Sequence, residues 1–224
     1  MKEDAGQPVP REAPVAFSEL AWPAASSFPL GNFVAPPIVD FASVLEARRS
    51  IRALSRAPFR EVCNLVNFVC GERQSWGREL HRSRRTAASA GALHPVETLI
   101  ASTKGRGRIF RFNASLRTME LLRLHSAELA TEVLGQARQI LPQAAGDFLV
   151  LVVDPTKTGA AYEAASSLAW RDGGALMQTL HLAATAYRLG FCPIGATGHD
   201  LVEAIFGPGS RLQALGMAAV GRPA

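Results

Sequence analysis

Phe148-Leu149-Val150-Leu151-Val152-Val153 is the stretch of sequence from which the fold can be worked out. Six consecutive apolar residues, half of them valine, favour a β-strand, and the lack of polar alternation predicts burial on both faces. Further strands are predicted at Val96 to Ala101, at Arg108 to Phe112 after a Gly105-Arg106-Gly107 turn, and at Gly216 to Val220. The chain should therefore contain a central sheet that is covered on both sides.

Helical spacing of apolar residues appears on either side of these strands. One helix is predicted after Asp40, which can cap it, and a second over Phe59 to Val69. Residues 172–189 start at an aspartate, are followed by a glycine and are apolar on nearly every face, which predicts a buried helix. Cys192 to Thr197 is predicted to be a loop. Together these elements predict an α+β fold with a central sheet wrapped by helices.

Length and composition fit one globular domain. The chain has 224 residues, 48% of them hydrophobic, and its net charge is 24 − 19 = +5. Three cysteines are too few for a disulfide scaffold, the polar N-terminus is unlike a signal peptide, and no run approaches the roughly 20 apolar residues of a membrane span. We therefore expect a cytoplasmic protein that binds neither membrane nor nucleic acid.

Prolines divide the chain into two parts. Seven of the 14 prolines fall within residues 1–37, and this composition predicts an extended arm that resists helix formation and sheet pairing. The arm also carries large apolar side chains, so it could pack across its own domain or a partner subunit. Residues 38–224 then form the predicted globular domain.

Three short segments could carry chemistry. Arg48-Arg49-Ser50-Ile51-Arg52 offers three guanidiniums and a hydroxyl to a phosphate, although its spacing alone is more typical of a solvated basic helix end. Ser89 to Pro95 and Cys192 to Thr197 each contain small residues that let main-chain amides approach a flat ligand, but each could be an ordinary connection. By itself none of the three segments settles the choice.

Missing motifs narrow the function. The sequence contains no phosphate-binding P-loop, no H-E-x-x-H zinc motif, no G-x-S-x-G nucleophile elbow and no G-x-G-x-x-G after a strand. The five histidines show no spacing typical of a metal site, and no metal is expected. Because no residue set suggests hydrolysis, the chemistry is expected to come from a cofactor.

In this order, the segments resemble the nitroreductase superfamily of flavin enzymes, most closely its SagB-type branch. Arg48-Arg49-Ser50-Ile51-Arg52 is similar to the R-R-S-x-R motif of that family. Arg85-Thr86-Ala87-Ala88-Ser89-Ala90-Gly91-Ala92-Leu93-His94-Pro95-Val96-Glu97 resembles R-T-x-P-S-A-G-A-L-H-P-x-E, with Ala88 in place of proline. Asp172 to Gln178 resembles the start of the long central helix, and Leu189 to Gly195 resembles the L-G-x-x-x-I-G loop.

The resemblance implies an intertwined homodimer with FMN at the subunit interface and NADH or NADPH as a candidate electron donor. One chain carries one copy of each motif, so each site would draw on both subunits. The implied cofactor-binding residues are Arg48, Arg49, Ser50, Arg52 and Arg222 for the phosphate, Ser89, Ala90, Gly91 and His94 for the ring, and Ile194, Gly195 and Ala196 for its redox-active edge.

The implied activity is hydride transfer through flavin N5 to or from a small or peptide-derived substrate. A second interpretation is an azoline dehydrogenase of peptide biosynthesis, and a third is a flavin-free scaffold or binding subunit. Azoline dehydrogenases of this branch carry a Lys-Tyr pair before the central helix. Here Tyr162 follows Ala161, and Lys157 lies five residues earlier. Tyr162 is the candidate acid or base.

Overall fold

The computed structural model describes residues 6–38, 40–103 and 107–224. Its helices are α1 (Phe41–Ala47), α2 (Phe59–Cys70), α3 (Ala127–Ile140), α4 (Pro155–Ala161), α5 (Ser166–Ala186) and α6 (His199–Phe206). Its strands are β1 (Val9–Pro10), β2 (Ala24–Pro29), β3 (Leu54–Ser55), β4 (Gln74–Trp76), β5 (Arg82–Arg84), β6 (Val96–Ser102), β7 (Arg108–Asn113), β8 (Thr118–Leu122), β9 (Asp147–Val153), β10 (Tyr162–Glu163), β11 (Gly190–Ile194) and β12 (Gln213–Pro223).

One antiparallel sheet organises the molecule. Its strands lie in the order β11-β12-β9-β6-β7-β8-β2, and β3 pairs with the far end of β12. Two small ladders, β1 with β10 and β4 with β5, lie outside this sheet. This arrangement confirms the predicted α+β fold with a central antiparallel sheet. Of the turn predicted before β7, Gly105 and Arg106 fall outside the described residues.

The core is divided between the two faces of the sheet. On one face α2 and α5 pack over side chains such as Leu149 and Leu151. On the other face α3 and α6 pack over the alternate side chains of the same strand, Phe148 and Val150. All seven residues of β9 are buried. The prediction that this strand is covered on both faces is therefore confirmed.

The long helix begins earlier than predicted. We expected it to start at Asp172, but α5 starts at Ser166. Asp172 does not cap the helix, because its carboxylate is occupied by another segment of the chain. The prediction for α2 differs from the structure by one residue, Cys70, and the helix ends with Gly71 as its C-cap residue.

Two strands of the central sheet contradict the sequence predictions, and both lie at its edges. Ala24–Pro29 pairs with β8 although the arm was expected to resist sheet pairing. Gly190–Ile194 pairs with β12 although the segment from Cys192 was predicted to be a loop. A central strand pairs with a neighbour on both sides, whereas an edge strand has one side without a partner strand. Proline lacks a backbone N–H, so Pro193 is tolerated in the edge strand β11.

The short helix α1 leaves apolar surface exposed. Val44 is buried, whereas Phe41 is 67% exposed and Leu45 is 46% exposed. Trp170, on the neighbouring helix α5, is 57% exposed. Phe41 and Leu45 are four residues apart and so share one face of α1, and exposed apolar surface of this kind is typical of a face that another molecule covers.

Candidate functional site

The Arg48–Arg52 segment leaves α1 with its charges facing outward. Arg48 ends the helix, and its N–H donates to the carbonyl of Val44. The Ile51 N–H donates to the carbonyl of Phe191 at 3.0 Å, and the Ile51 side chain packs on the core. Ile51 thus faces the core, whereas its neighbours face solvent: the exposed residues are Arg49, Ser50 and Arg52. Arg48 is half-buried.

The three guanidiniums of this segment have no counter-charge in the described part of the chain. Five arginines elsewhere pair with carboxylates within 4 Å, namely Arg11, Arg85, Arg111, Arg211 and Arg222. Others, such as Arg60 and Arg78, have no such partner among the described residues, so the distinctive feature is that three unpaired arginines lie within five residues. Three unpaired cations and a hydroxyl within five residues can give a phosphate several charge-assisted hydrogen bonds. The donor set therefore fits the phosphate of a nucleotide cofactor.

Arg222 lies close to this segment through its backbone. It pairs with Ser55 in the ladder between β12 and β3, three residues beyond Arg52. Its guanidinium, however, contacts Glu61, with Nη2 at 2.7 Å from Oε1. Its role at a phosphate stays a prediction.

The Ser89–Gly91 segment is held by the buried carboxylate of Asp172. Ser89 Oγ donates to Oδ2 at 2.5 Å, and the Ala90 N–H donates to Oδ1 at 3.0 Å. Burial raises the pKa of Asp172, although these two hydrogen bonds act in the opposite direction. The carboxylate therefore fixes this loop against α5.

His94 is satisfied within the chain. Its N–H donates to Ser89 Oγ at 2.9 Å, and its Nε2 donates to the carbonyl of Ser83 at 2.9 Å. Burial, reinforced by the positive charge of Arg85, lowers the pKa of His94 to about 4. The imidazole is thus neutral near pH 7, and its hydrogen bond to Ser83 attaches the loop to β5. Its predicted contact with a cofactor stays a prediction.

Gly91 brings Tyr162 and the β4–β5 hairpin together. Its φ is +58°, and a Cβ at this position would lie 2.8 Å from the Tyr162 hydroxyl and 2.7 Å from Arg82 Nη1. That arginine also donates to the carbonyl of Gly91. Tyr162 is half-buried. The structure therefore places the candidate acid or base beside a segment predicted to line the ring.

The segment Ile194–Ala196 follows the edge strand β11. Ile194 pairs with Met217, whose N–H donates to the carbonyl of Ala196 at 3.2 Å. Gly195 is exposed, and a Cβ there would have no atom within 4 Å. Packing within the chain therefore does not require a glycine at this position. The open space beside its backbone can admit a ligand that approaches closely.

Helix α5 separates the predicted residues into two groups. The Nε2 of His181 donates to the carbonyl of Arg49 at 3.2 Å, whereas Asp172 holds Ser89. Nine residues are about two and a half turns, so Asp172 and His181 point from opposite faces of the helix. One group, on the His181 side of α5, connects to β11 and consists of Arg48–Arg52 and Ile194–Ala196. The other group lies on the Asp172 side of α5 and consists of Ser89–Gly91 and Tyr162.

Three residues that shape the site were not among the sequence candidates. The sequence predicts Asp172 only as a helix start, Arg82 belongs to none of the three candidate segments, and His181 is one of five histidines without metal-site spacing. A buried carboxylate within an apolar helix was the signal for Asp172. The contact of Arg82 with the carbonyl of Gly91 leaves no trace in local sequence.

A cavity of about 910 Å³ lies elsewhere, between the arm, α2 and the end of α5. Arg222 is the only predicted site residue in its described lining. Within residues 6–38, 40–103 and 107–224, no cluster of three or more His, Cys, Asp or Glu could hold a metal ion. In the same ranges, no helix combines the length and apolarity that crossing a membrane requires.

Comparison with known proteins gives a family for this geometry. No curated protein matches the chain. A candidate nitroreductase from Ralstonia eutropha has a TM-score of 0.65 at 15% identity, over 97% of this chain and 99% of that one. A candidate nitroreductase from Anabaena variabilis has a TM-score of 0.62 at 20% identity, over 94% of this chain and 45% of that one.

A third structure, a candidate NADH oxidase from Clostridium acetobutylicum, has a TM-score of 0.51 at 17% identity, over 81% of this chain and 87% of that one. At these identities the three structures show the fold. The model of the "Nitroreductase family" matches residues 45–222, which include the arginine segment, the Asp172-anchored loop and β11. The chain belongs to the nitroreductase family.

Proposed function

We propose that this chain is an FMN-dependent oxidoreductase of the SagB-type branch of its family, acting on a small or peptide-derived substrate. The observation that carries the proposal is the Arg48–Arg52 segment, whose three guanidiniums have no carboxylate partner among the described residues. When bound, FMN supplies hydride chemistry at its N5 atom. NADH or NADPH is the proposed electron donor.

The chain would hold the cofactor with two kinds of contact. Arg48, Ser50 and Arg52 would bind the phosphate through charge-assisted hydrogen bonds. The exposed backbone at Gly195 would lie against the ring edge, since no described atom beyond its chain neighbours lies within 4 Å of its Cβ position and the space is open to a ligand. The loop at Ser89–Gly91 would line the ring, and its rigid attachment to Asp172 would fix its orientation.

The site would be completed by a second copy of the chain. Since α5 stands between the phosphate-binding residues and the loop at Ser89, one chain does not bring both halves against one ligand. A homodimer would unite the halves of neighbouring subunits. The exposed Phe41, Leu45 and Trp170 supply the apolar surface that such an interface needs.

Tyr162 is the proposed proton donor or acceptor. Its hydroxyl lies beside Gly91, where the substrate would meet the ring-lining loop. This position also favours azoline dehydrogenase as a second candidate function, because that reaction needs proton removal. Tyr162→Phe should slow turnover at unchanged flavin content, and unchanged turnover would exclude the hydroxyl from the reaction.

Flavin affinity of an Arg48→Ala/Arg52→Ala variant tests the proposal. Each charged hydrogen bond is worth about 1.5–3 kcal/mol, so the double variant should bind FMN at least about 100-fold more weakly. The matched control is Arg60→Ala/Arg138→Ala, which removes two exposed helix arginines and the same charge. Equal affinity in both variants would refute the phosphate site. A wild-type chain that takes up no FMN would instead favour the scaffold hypothesis.

A further inference from the structure

A second polar cavity lies beside α4, and Arg85 in its lining also lies near Ser89 and His94. Its volume is about 410 Å³, within the range of about 300 to 1,000 Å³ that is typical of small-molecule sites. Its described lining includes the charged side chains of Lys157, Arg85, Arg111, Glu97 and Glu19. None of the predicted cofactor-binding residues or Tyr162 belongs to its described lining.

The two arginines of this cavity already have partners. Arg85 Nη2 lies 3.1 Å from Glu72. Arg111 contacts Glu97 at 3.2 Å and Glu120 at 3.0 Å. Both oxygens of Glu97 accept from that guanidinium. The charges of Arg85, Arg111 and Glu97 are therefore balanced by ion pairs within the chain.

Lys157 is the exception. The residue is only 7% exposed, it lines this cavity and a smaller adjoining one, and its ammonium has no hydrogen bond or ion pair with a described residue. Burial lowers the pKa of Lys157, and the positive charge of Arg85 acts in the same direction, while Glu97, Glu19 and Glu72 act in the opposite direction without contacting the ammonium. A buried ammonium without an acceptor costs free energy that an anionic ligand would recover.

The remaining lining indicates the shape of that ligand. Leu20 and Trp22 form an apolar wall, and Arg111 lies over the Trp22 ring with its guanidinium carbon 4.9 Å from the ring centroid. Glu19 is exposed on the arm and has no partner among the described residues, so it borders the cavity as a free carboxylate. A ligand with one anionic group and a short apolar chain matches this combination.

We propose that the cavity around Lys157 binds a small organic carboxylate, with its carboxylate on the Lys157 ammonium and its carbon chain against Leu20 and Trp22. This site goes beyond the proposed flavin chemistry and does not depend on it. No bond is made or broken in it. Its occupant would be a ligand or the remote end of a substrate that carries a carboxylate.

Calorimetric titration of the purified protein with sodium propionate tests the site. Propionate should bind, and propionamide, which has the same size without the charge, should bind at least tenfold more weakly. Lys157→Met should weaken propionate binding at least tenfold. Arg78→Met removes an exposed cation outside the cavity lining and should leave binding unchanged, while Glu19→Gln should strengthen it.

The melting temperature of Lys157→Met distinguishes an unpartnered lysine from one that the distant glutamates stabilise. This variant should melt at the wild-type temperature or above it, because it removes an unpartnered buried charge. A lower melting temperature would mean that the glutamates hold the lysine, and the proposal would fail. It would also fail if propionate did not bind, if propionamide bound equally well, or if binding survived in Lys157→Met, which would locate the anion elsewhere, for example at the flavin site.

Discussion

Replacing Asp172 by alanine should loosen the ring-lining loop by a predictable amount. The change leaves Ser89 Oγ–H and the Ala90 N–H without their acceptor, after contacts of 2.5 and 3.0 Å. An unmet, partly buried donor costs about 1–3 kcal/mol, so two donors cost about 2–6 kcal/mol. Burial disfavours the charged carboxylate and raises its pKa, which offsets part of this loss. The net loss of unfolding free energy should be about 2 kcal/mol.

Urea denaturation at pH 7 of four proteins measures this effect: wild type, Asp172→Ala, Ser89→Ala and the double variant. Because the two side chains share one hydrogen bond, the single effects should not add, and the coupling free energy should be about 1 kcal/mol or more. A loss below about 0.5 kcal/mol in Asp172→Ala, or a coupling of zero, would refute the role given to this carboxylate.

Two further predictions concern the same loop. Burial lowers the pKa of His94 from 6.5 to about 4, so the unfolded chain takes up the proton at a higher pH than the folded chain. The free energy of unfolding should therefore fall by about 2 kcal/mol between pH 7 and pH 5. His94→Gln should remove this share of the acid dependence in urea titrations at the two pH values. Gly91→Ala should lower the unfolding free energy by about 1–2 kcal/mol in the same assay, because φ is +58° and the new Cβ would meet the Tyr162 hydroxyl.

Each of these predictions has its own control. Gly174→Ala is matched to Gly91→Ala: it lies on the exposed face of α5, no atom lies within 4 Å of its Cβ position, and it should be neutral or stabilising. Equal stability of Gly91→Ala and wild type would contradict the close approach of Tyr162. An unchanged acid dependence in His94→Gln would show that another group carries the proton.

Elements with strong local patterns were predictable from sequence. The six apolar residues Phe148 to Val153 predicted a strand that the structure extends by one residue, and the helical spacing in Phe59 to Val69 predicted α2. In both cases burial follows directly from residue type and spacing. The sheet edges were not predictable in the same way, because Pro29 and Pro193 suggest a loop unless the strand order is known.

The candidate site was predictable as a set of segments and not as an arrangement. The arginine segment and the loop at Ser89 were identified by their residues, but which face of α5 each contacts is decided by tertiary packing. Asp172 shows why: a carboxylate near the expected start of a helix has the appearance of a cap, and only the fold reveals that it holds Ser89. The separation of the two groups by α5 is therefore a structural finding.

The visible absorption spectrum of the purified protein, with the mass of any released chromophore, tests the central claim most directly. The protein should show flavin absorption bands and release a chromophore with the mass of FMN, either as purified or after FMN is added. A colourless protein that takes up no added FMN would contradict it, and the Arg48–Arg52 segment would then be a solvated helix end.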